Sequence, residues 1–195
     1  MRVFITVLVL IFSLQSLTKA DDISEFEIEG MSIGDSALKY FSKEEINQFQ
    51  YGFESKVFAY VNIQEKNLET FNDGFILFKP KDKNFLIHSI VGRLHFNGDI
   101  NKCYKEQNKI VKEVSSMFQN VEQSDKDTYQ YDGDKSGKST VTTINLELEE
   151  GSMVHLGCYN MNKEYLEQNN FPPETAVFSM SLASIEYTEF QIDDD

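Results

Sequence analysis

The sequence has no tryptophan, no C-x-x-C pair and only three prolines and two cysteines. Without C-x-x-C, thiol–disulfide catalysis is poorly supported. The longest apolar run is about twelve residues, too short to cross roughly 30 Å of hydrocarbon at about 1.5 Å per residue. Basic residues are also scarce, since 18 Lys and Arg stand against 32 Asp and Glu, a net charge of −14. Such a chain repels nucleic acid and anionic membrane surfaces, whereas cations or basic partners are tolerated.

The apolar run lies at the N-terminus and predicts a secretory signal peptide over residues 1–20. Arg2 supplies the positive start, Val3–Leu14 the apolar core, and Thr18-Lys19-Ala20 a small-residue cleavage site. The alternative is a segment retained as a membrane anchor. The residue directly after the cleavage site is not a cysteine, which argues against a lipid anchor. We therefore expect a periplasmic or secreted protein without stable membrane insertion. Loss of the leader removes two basic residues and leaves 16 against 32 acidic ones, a net charge of −16.

One long helix is predicted over residues 100–121. Its apolar stripe has lysine and glutamate opposite it, a pattern typical of a helix packed on a core. The stripe consists of Cys103, Gln107, Ile110, Val111, Val114, Met117, Phe118 and Val121. Short helices are predicted within residues 35–50, where Ser42 and Glu45 have the spacing of a capping box.

Alternating apolar residues predict strands over much of the remaining chain. The predicted strands are 57–63, 75–78, 84–96, 128–132, 139–148, 153–159 and 176–182. A turn is predicted at Asn72-Asp73-Gly74, because these residue types tolerate positive φ. In strand 84–96, alternation places His88 with Ile90 on one face, and Arg93 with His95 on the other. The order of elements predicts a single α+β domain over residues 21–195, with a mainly antiparallel sheet and the long helix across it.

The two cysteines allow one pairing, Cys103–Cys158. Cys103 lies on the apolar stripe of the helix, and Cys158 shares the apolar face of its strand with Val154 and Leu156. Both therefore point toward the same core, and export favours a disulfide. The alternative is two buried free thiols.

Several segments resemble one protein family. They are FEIEGMSIGDSALKYFSKEEI at 26–46, INKCYKEQNKIVKEV at 100–114, DKSGKS at 134–139 and VHLGCYNM at 154–161. Together they resemble a family of small, uncharacterised exported proteins of marine bacteria. The resemblance implies export, a compact α+β domain and one cysteine pair. It implies no activity.

The segment Gly133–Ser139 imitates a nucleotide phosphate-binding loop, but its spacing is one residue short and a strand follows instead of a helix. Asp132, Asp134 and Ser136 also match the first positions of a calcium-binding loop. Position 12 of that loop is Thr143 where a bidentate Glu belongs, so a hairpin turn is favoured over a cation site.

The three histidines, His88, His95 and His155, do not have metal-ligand spacing. By strand alternation, His88 and His95 cannot share a metal without a bulge between them. His155 lies on the face opposite Cys158, which argues against a Cys–His nucleophile pair. We therefore expect no metal, no cofactor and no catalytic residue that the sequence can identify.

Two hypotheses for function stay open. The first is a non-catalytic module that binds a small ligand, a cation or another envelope protein through an apolar groove or a sheet edge. The second is a small periplasmic hydrolase, which requires a concave pocket where two acids, or His155 and an acid, come within hydrogen-bond reach. A pocket lined by converging polar groups counts against the first hypothesis, and a flat polar surface counts against the second.

Overall fold

The computed structural model describes residues 22–51, 56–118 and 120–194, so the predicted signal peptide lies outside the described residues. Within these ranges the α-helices are α1 (Lys43–Ile46), α2 (Ile100–Met117), α3 (Lys163–Gln168) and α4 (Ile185–Asp194). The strands are β1 (Glu27–Ile28), β2 (Met31–Ser32), β3 (Gln50–Tyr51), β4 (Ala59–Asn62), β5 (Asp73–Phe78), β6 (Ile87–His95), β7 (Glu122–Gln123), β8 (Asp127–Gln130), β9 (Thr140–Glu147), β10 (Met153–Asn160) and β11 (Ala176–Ala183). Three short 3-10 helices complete the described elements, at Ile23–Glu25, Ala37–Lys39 and Glu65–Asn67.

A nine-stranded antiparallel sheet forms the body of the protein. Its strand order is β3-β4-β5-β6-β11-β10-β9-β7, and β8 also pairs with β9. The strands β1 and β2 form a separate hairpin near the N-terminal end of the described chain. The predicted α+β class, with a mainly antiparallel sheet and one long helix packed on it, is confirmed.

The long helix α2 covers one face of the sheet. Cys103, Gln107, Val111 and Val114 are its buried residues, and all four belong to the predicted stripe of eight. Asp99 caps its N-terminus, because the Asp99 carboxylate accepts a hydrogen bond of 3.2 Å from the Lys102 amide. The helix ends at Met117, four residues before the predicted end. Phe118 is buried but extended, since the chain turns there toward β7.

The short helix α1 begins as predicted. The Ser42 hydroxyl accepts from the Glu45 amide at 3.2 Å, and the Glu45 carboxylate accepts from the Ser42 amide at 2.7 Å. These reciprocal bonds form the capping box and place Ile46 in the core at 1% exposure.

The sheet has two faces with different cover. The face packed on α2 carries residues such as Ile90, Leu156 and Phe178, and we call it the helix face. The residues that alternate with them lie on the opposite face, which we call the groove face. At one end of the groove face, α4 packs Tyr187 against Phe58 with ring centroids 5.1 Å apart. The remainder of this face is open to a ligand-sized cavity.

A bulge in β6 corrects the predicted alternation. Phe78 pairs with Ile87 and Leu77 pairs with Ser89, so His88 is the extra residue between them. As a result Ile87 joins the core under α2, while His88 contacts the Phe58 ring on the groove face. The prediction that His88 shares a face with Ile90 is wrong, because alternation does not continue through a bulge.

Candidate functional site

Cys103 and Cys158 meet on the helix face of the sheet. Their sulfur atoms lie 2.01 Å apart, which is disulfide distance, and the Cα atoms are 5.9 Å apart. Both residues are fully buried. The disulfide joins α2 to β10, as predicted from the apolar stripe and the strand face.

The segment Gly133–Ser139 forms the connection between β8 and β9. Asp134 is buried there, and its carboxylate accepts hydrogen bonds from the Ser136 amide at 2.9 Å and the Ser139 hydroxyl at 2.7 Å. Hydrogen bonds from Ser136 and Ser139 lower the pKa of Asp134 to about 2. The Ser139 hydroxyl in turn accepts from the Asn162 amide at 2.9 Å. The carboxylate is therefore engaged by its own loop and ties that loop to the start of α3.

The histidines are not brought together. The His155 Nδ1 atom lies 2.7 Å from the Asn145 side-chain oxygen, so its partner is an amide and not an acid. Burial lowers the pKa of His155 and of His88. His88 lies 3.2 Å from the Ser184 hydroxyl, beside α4. Within the described ranges, no group of three or more His, Cys, Asp or Glu residues is arranged to hold a metal ion.

The open part of the groove face contains a cavity of about 620 Å³, which we call the aromatic groove. This volume is within the range of roughly 300–1,000 Å³ that is usual for small-molecule sites. Five aromatic residues from different parts of the chain line it, namely Tyr60, Phe75, Tyr131, Tyr159 and Phe171.

A polar cluster of Asp73, Arg93 and His95 lies in the aromatic groove. Arg93 and His95 are two residues apart on β6 and so share a face, while Asp73 on β5 pairs directly with Arg93. The Arg93 Nε–H donates to the Asp73 carboxylate, and His95 Nε2 lies 2.7 Å from its other oxygen. The Asn72 side chain accepts from the His95 amide at 2.8 Å and holds this end of β6. Asp73 thus contacts both the Arg93 guanidinium and the His95 imidazole.

The two sides of the groove are aromatic. On the β4–β5 side, the Tyr60 and Phe75 rings lie 5.5 Å apart, and the Arg93 guanidinium is 5.4 Å from the centre of the Phe75 ring. On the β10 side, the ring centroids of Tyr131 and Tyr159 lie 6.3 Å apart. Burial raises the pKa of Tyr159 to about 12, so its hydroxyl stays protonated and can donate a hydrogen bond at neutral pH.

The connection after α3 completes the β10 side. Tyr165 lies between Tyr131 and Phe171, with ring centroids 5.9 Å from each. Phe171 is 49% exposed, which is unusual for so large an apolar side chain and places it at the rim. Glu174 also lines the groove, but its carboxylate accepts from the Gly98 and Ala176 amides at 3.0 and 3.2 Å.

Strand alternation predicted that two of the three residues of this polar cluster share a face. It placed Arg93 and His95 on one face, and the structure agrees. The prediction of a turn at Asn72-Asp73-Gly74 is wrong, because Asp73 and Gly74 are the first residues of β5. The available signal for Asp73 was that it directly precedes an apolar strand. The residue that faces Asp73, however, depends on how β5 pairs with β6, and residues next to Asp73 in the sequence do not determine that pairing.

No protein-family model matches the chain, and no curated protein or solved structure matches it either. The resemblance of residues 26–46 to exported marine proteins therefore stays a prediction. Among the helices of the described chain, none has the length and apolar content needed to cross a membrane.

Proposed function

We propose that the protein is an exported, non-catalytic binding module that holds a small ligand in the aromatic groove. The observation that carries this proposal is the combination of a ligand-sized volume and five aromatic side chains. Ligand sites are typically concave and largely apolar, with a small number of polar groups that orient the ligand. Export is supported by the leader pattern and by the Cys103–Cys158 disulfide.

The polar cluster converges, which by itself is also what a hydrolase needs. The manner of convergence supports binding. One carboxylate oxygen of Asp73 accepts a hydrogen bond from Arg93, and the other lies 2.7 Å from His95 Nε2. Since each oxygen of this carboxylate already has a partner, a ligand would compete with Arg93 and His95 for Asp73. Its role in our proposal is to hold Arg93 and His95 in fixed positions.

The test is a saturation-transfer NMR screen of a fragment library against the oxidised full chain. We expect a set of fragments that bind the wild type and lose their signal in Phe75→Ala. The matched control is Lys112→Ala, an exposed position on α2 at the other face of the sheet, which should keep every signal. If no fragment binds, or if binding persists in Phe75→Ala while the variant is folded by circular dichroism, the proposal is wrong.

A hydrolase is the second candidate, and the Asp73–His95 contact of 2.7 Å favours it. An imidazole oriented by a carboxylate can act as a general base through its other nitrogen. The expected substrate would sit in the same groove. Hydrolysis of nitrophenyl esters or nitrophenyl glycosides by the wild type, lost in both His95→Gln and Asp73→Asn, would establish catalysis. No turnover above the rate of the His95→Gln variant would leave the binding module as the better proposal.

A further inference from the structure

Two charged side chains of the aromatic groove, Arg93 and Asp73, compensate each other. Arg93 is paired with Asp73, and the Asp73 carboxylate is shared with His95. Glu174 has one carboxylate oxygen held by two backbone amides. A charged ligand at Arg93 or Asp73 would have to displace the contact between these two side chains before it gained a partner of its own. The Arg93–Asp73 pair therefore disfavours ions of either sign.

The individual ligand classes can be compared on this basis. An anion would meet the Arg93 guanidinium already paired with Asp73. The net charge of −14 on the chain also repels anions. A quaternary ammonium packed on Phe75 would lie close to the Arg93 guanidinium, which is 5.4 Å from the centre of that ring, and the two positive charges would repel each other. A purely apolar ligand would bury Arg93 and Asp73 away from water without supplying hydrogen bonds.

Hydrogen-bonding groups nevertheless remain for a ligand. Arg93 uses its Nε–H for Asp73, and its guanidinium carries further N–H donors on the two Nη atoms. Ser179 and Tyr159 add hydroxyl groups at the floor and on the β10 side. A hydroxyl both donates and accepts, so these groups match a ligand that carries hydroxyls itself.

The spacing of the aromatic sides limits the shape of the ligand. Phe75 lies on β5 and Tyr159 on β10, and β6 and β11 separate these strands. Three strand intervals of about 4.8 Å place the two strands roughly 14 Å apart. A flat ring with an apolar face and hydroxyls at its edge can pack against an aromatic side chain and still reach the polar floor.

From these observations we propose that the ligand is a neutral saccharide, held by aromatic packing at its ring faces and by hydrogen bonds at its hydroxyls. The proposal rests on the binding-module function proposed above. It names the ligand class for the same groove, and assigns Phe75 and Phe171 to ring packing and Arg93 to hydroxyl recognition.

The experiment is isothermal titration calorimetry of the oxidised full chain with neutral trisaccharides of glucose, N-acetylglucosamine, galactose and mannose. Tetramethylammonium and benzoate serve as charged probes. We expect saturable binding of at least one neutral trisaccharide. Its affinity should be unchanged between 20 and 500 mM NaCl, since no ion is exchanged on binding.

Two variants test the assigned roles. Phe75→Ala should weaken trisaccharide binding about tenfold, because it removes the packing surface. Phe171→Ser replaces a half-exposed side chain, so it should fold normally and still weaken binding about fivefold. Lys112→Ala should bind like the wild type.

The outcomes separate the two proposals. If no trisaccharide binds but a charged probe or a library fragment does, the saccharide class is wrong and the binding module stands. If neither the trisaccharides nor the library fragments bind, both proposals fail. Trisaccharide binding that is equal in wild type, Phe75→Ala and Phe171→Ser would also overturn the inference, since the site would then lie elsewhere.

Discussion

At the scale of single residues, Gln107 stands out because it is a fully buried polar side chain under the sheet. Its Nε2 amide donates to the backbone oxygens of Thr142 and Leu156, at 2.9 and 2.8 Å. One side chain of α2 therefore holds both β9 and β10. Its Oε1 atom has no hydrogen-bond partner within the described residues.

We expect Gln107→Met to lower the free energy of unfolding by about 2–3 kcal/mol, because two buried carbonyls lose their donor while the volume is nearly kept. Denaturant unfolding measures this. Lys112→Ala, on the exposed side of the same helix, is the control and should change stability by less than about 0.5 kcal/mol. A Gln107→Met variant as stable as the wild type would show that the two carbonyls do not depend on the amide.

Asp134 gives a prediction for pH. The pKa of its carboxyl is about 2 in the folded protein, below the ordinary value of 3.8, because of hydrogen bonds from Ser136 and Ser139. A carboxyl whose pKa is lower in the folded than in the unfolded state stabilises the fold at pH values above the unfolded-state pKa. This contribution disappears as pH falls from about 4 to about 2. Asp134→Asn cannot ionise.

The wild type should therefore be more stable than Asp134→Asn at pH 6, and the difference should shrink as the pH approaches 2. Unfolding curves of the two proteins at several pH values test this. The comparison cancels the other acidic residues, which both proteins share. A difference that stays constant across this pH range would contradict the assigned pKa.

At the scale of elements, sequence periodicity predicted most helices and strands within a few residues. Regular alternation and a 3.6-residue stripe leave a clear pattern when one face is buried, as in α2, β9 and β10. Prediction failed where geometry depends on a distant partner. The β6 bulge needs the register with β5, and the assignment of Asp73 needs knowledge that β5 begins before its apolar residues. The aromatic groove could not be predicted for the same reason, because its lining residues come from strands and connections that are far apart in the sequence.

The disulfide between α2 and β10 gives an element-level prediction. The bond spans a sequence separation of 55 residues. In the chain-entropy model a loop of this size stabilises the native state by about 4 kcal/mol, through restriction of the unfolded chain. We expect Cys103→Ala combined with Cys158→Ala to lose roughly this amount in denaturant unfolding.

The matching measurement is the wild type with and without a thiol reductant. Reduction should lower the stability of the wild type and leave that of the double variant unchanged. Equal stability of oxidised wild type and double variant would show that the crosslink adds nothing to the fold.

At the scale of the whole molecule, acidic residues outnumber basic ones by 14. Repulsion among like charges destabilises the compact state, and dissolved salt screens it. We expect the thermal unfolding midpoint to rise between 10 and 200 mM NaCl. Sucrose at matched osmolality is the control for effects other than screening. A midpoint that falls with NaCl would mean that the surface ion pairs outweigh the net repulsion.

Cys158 and Tyr159 are neighbours on β10, and their side chains leave the strand in opposite directions. The disulfide on the helix face therefore holds the same strand that carries Tyr159 on the groove face. Reduction by dithiothreitol would break this disulfide next to the aromatic groove. Ligand titrations made under such conditions would then be made on a protein in which β10 is held less firmly, so the redox state of the buffer must be fixed before affinities are compared.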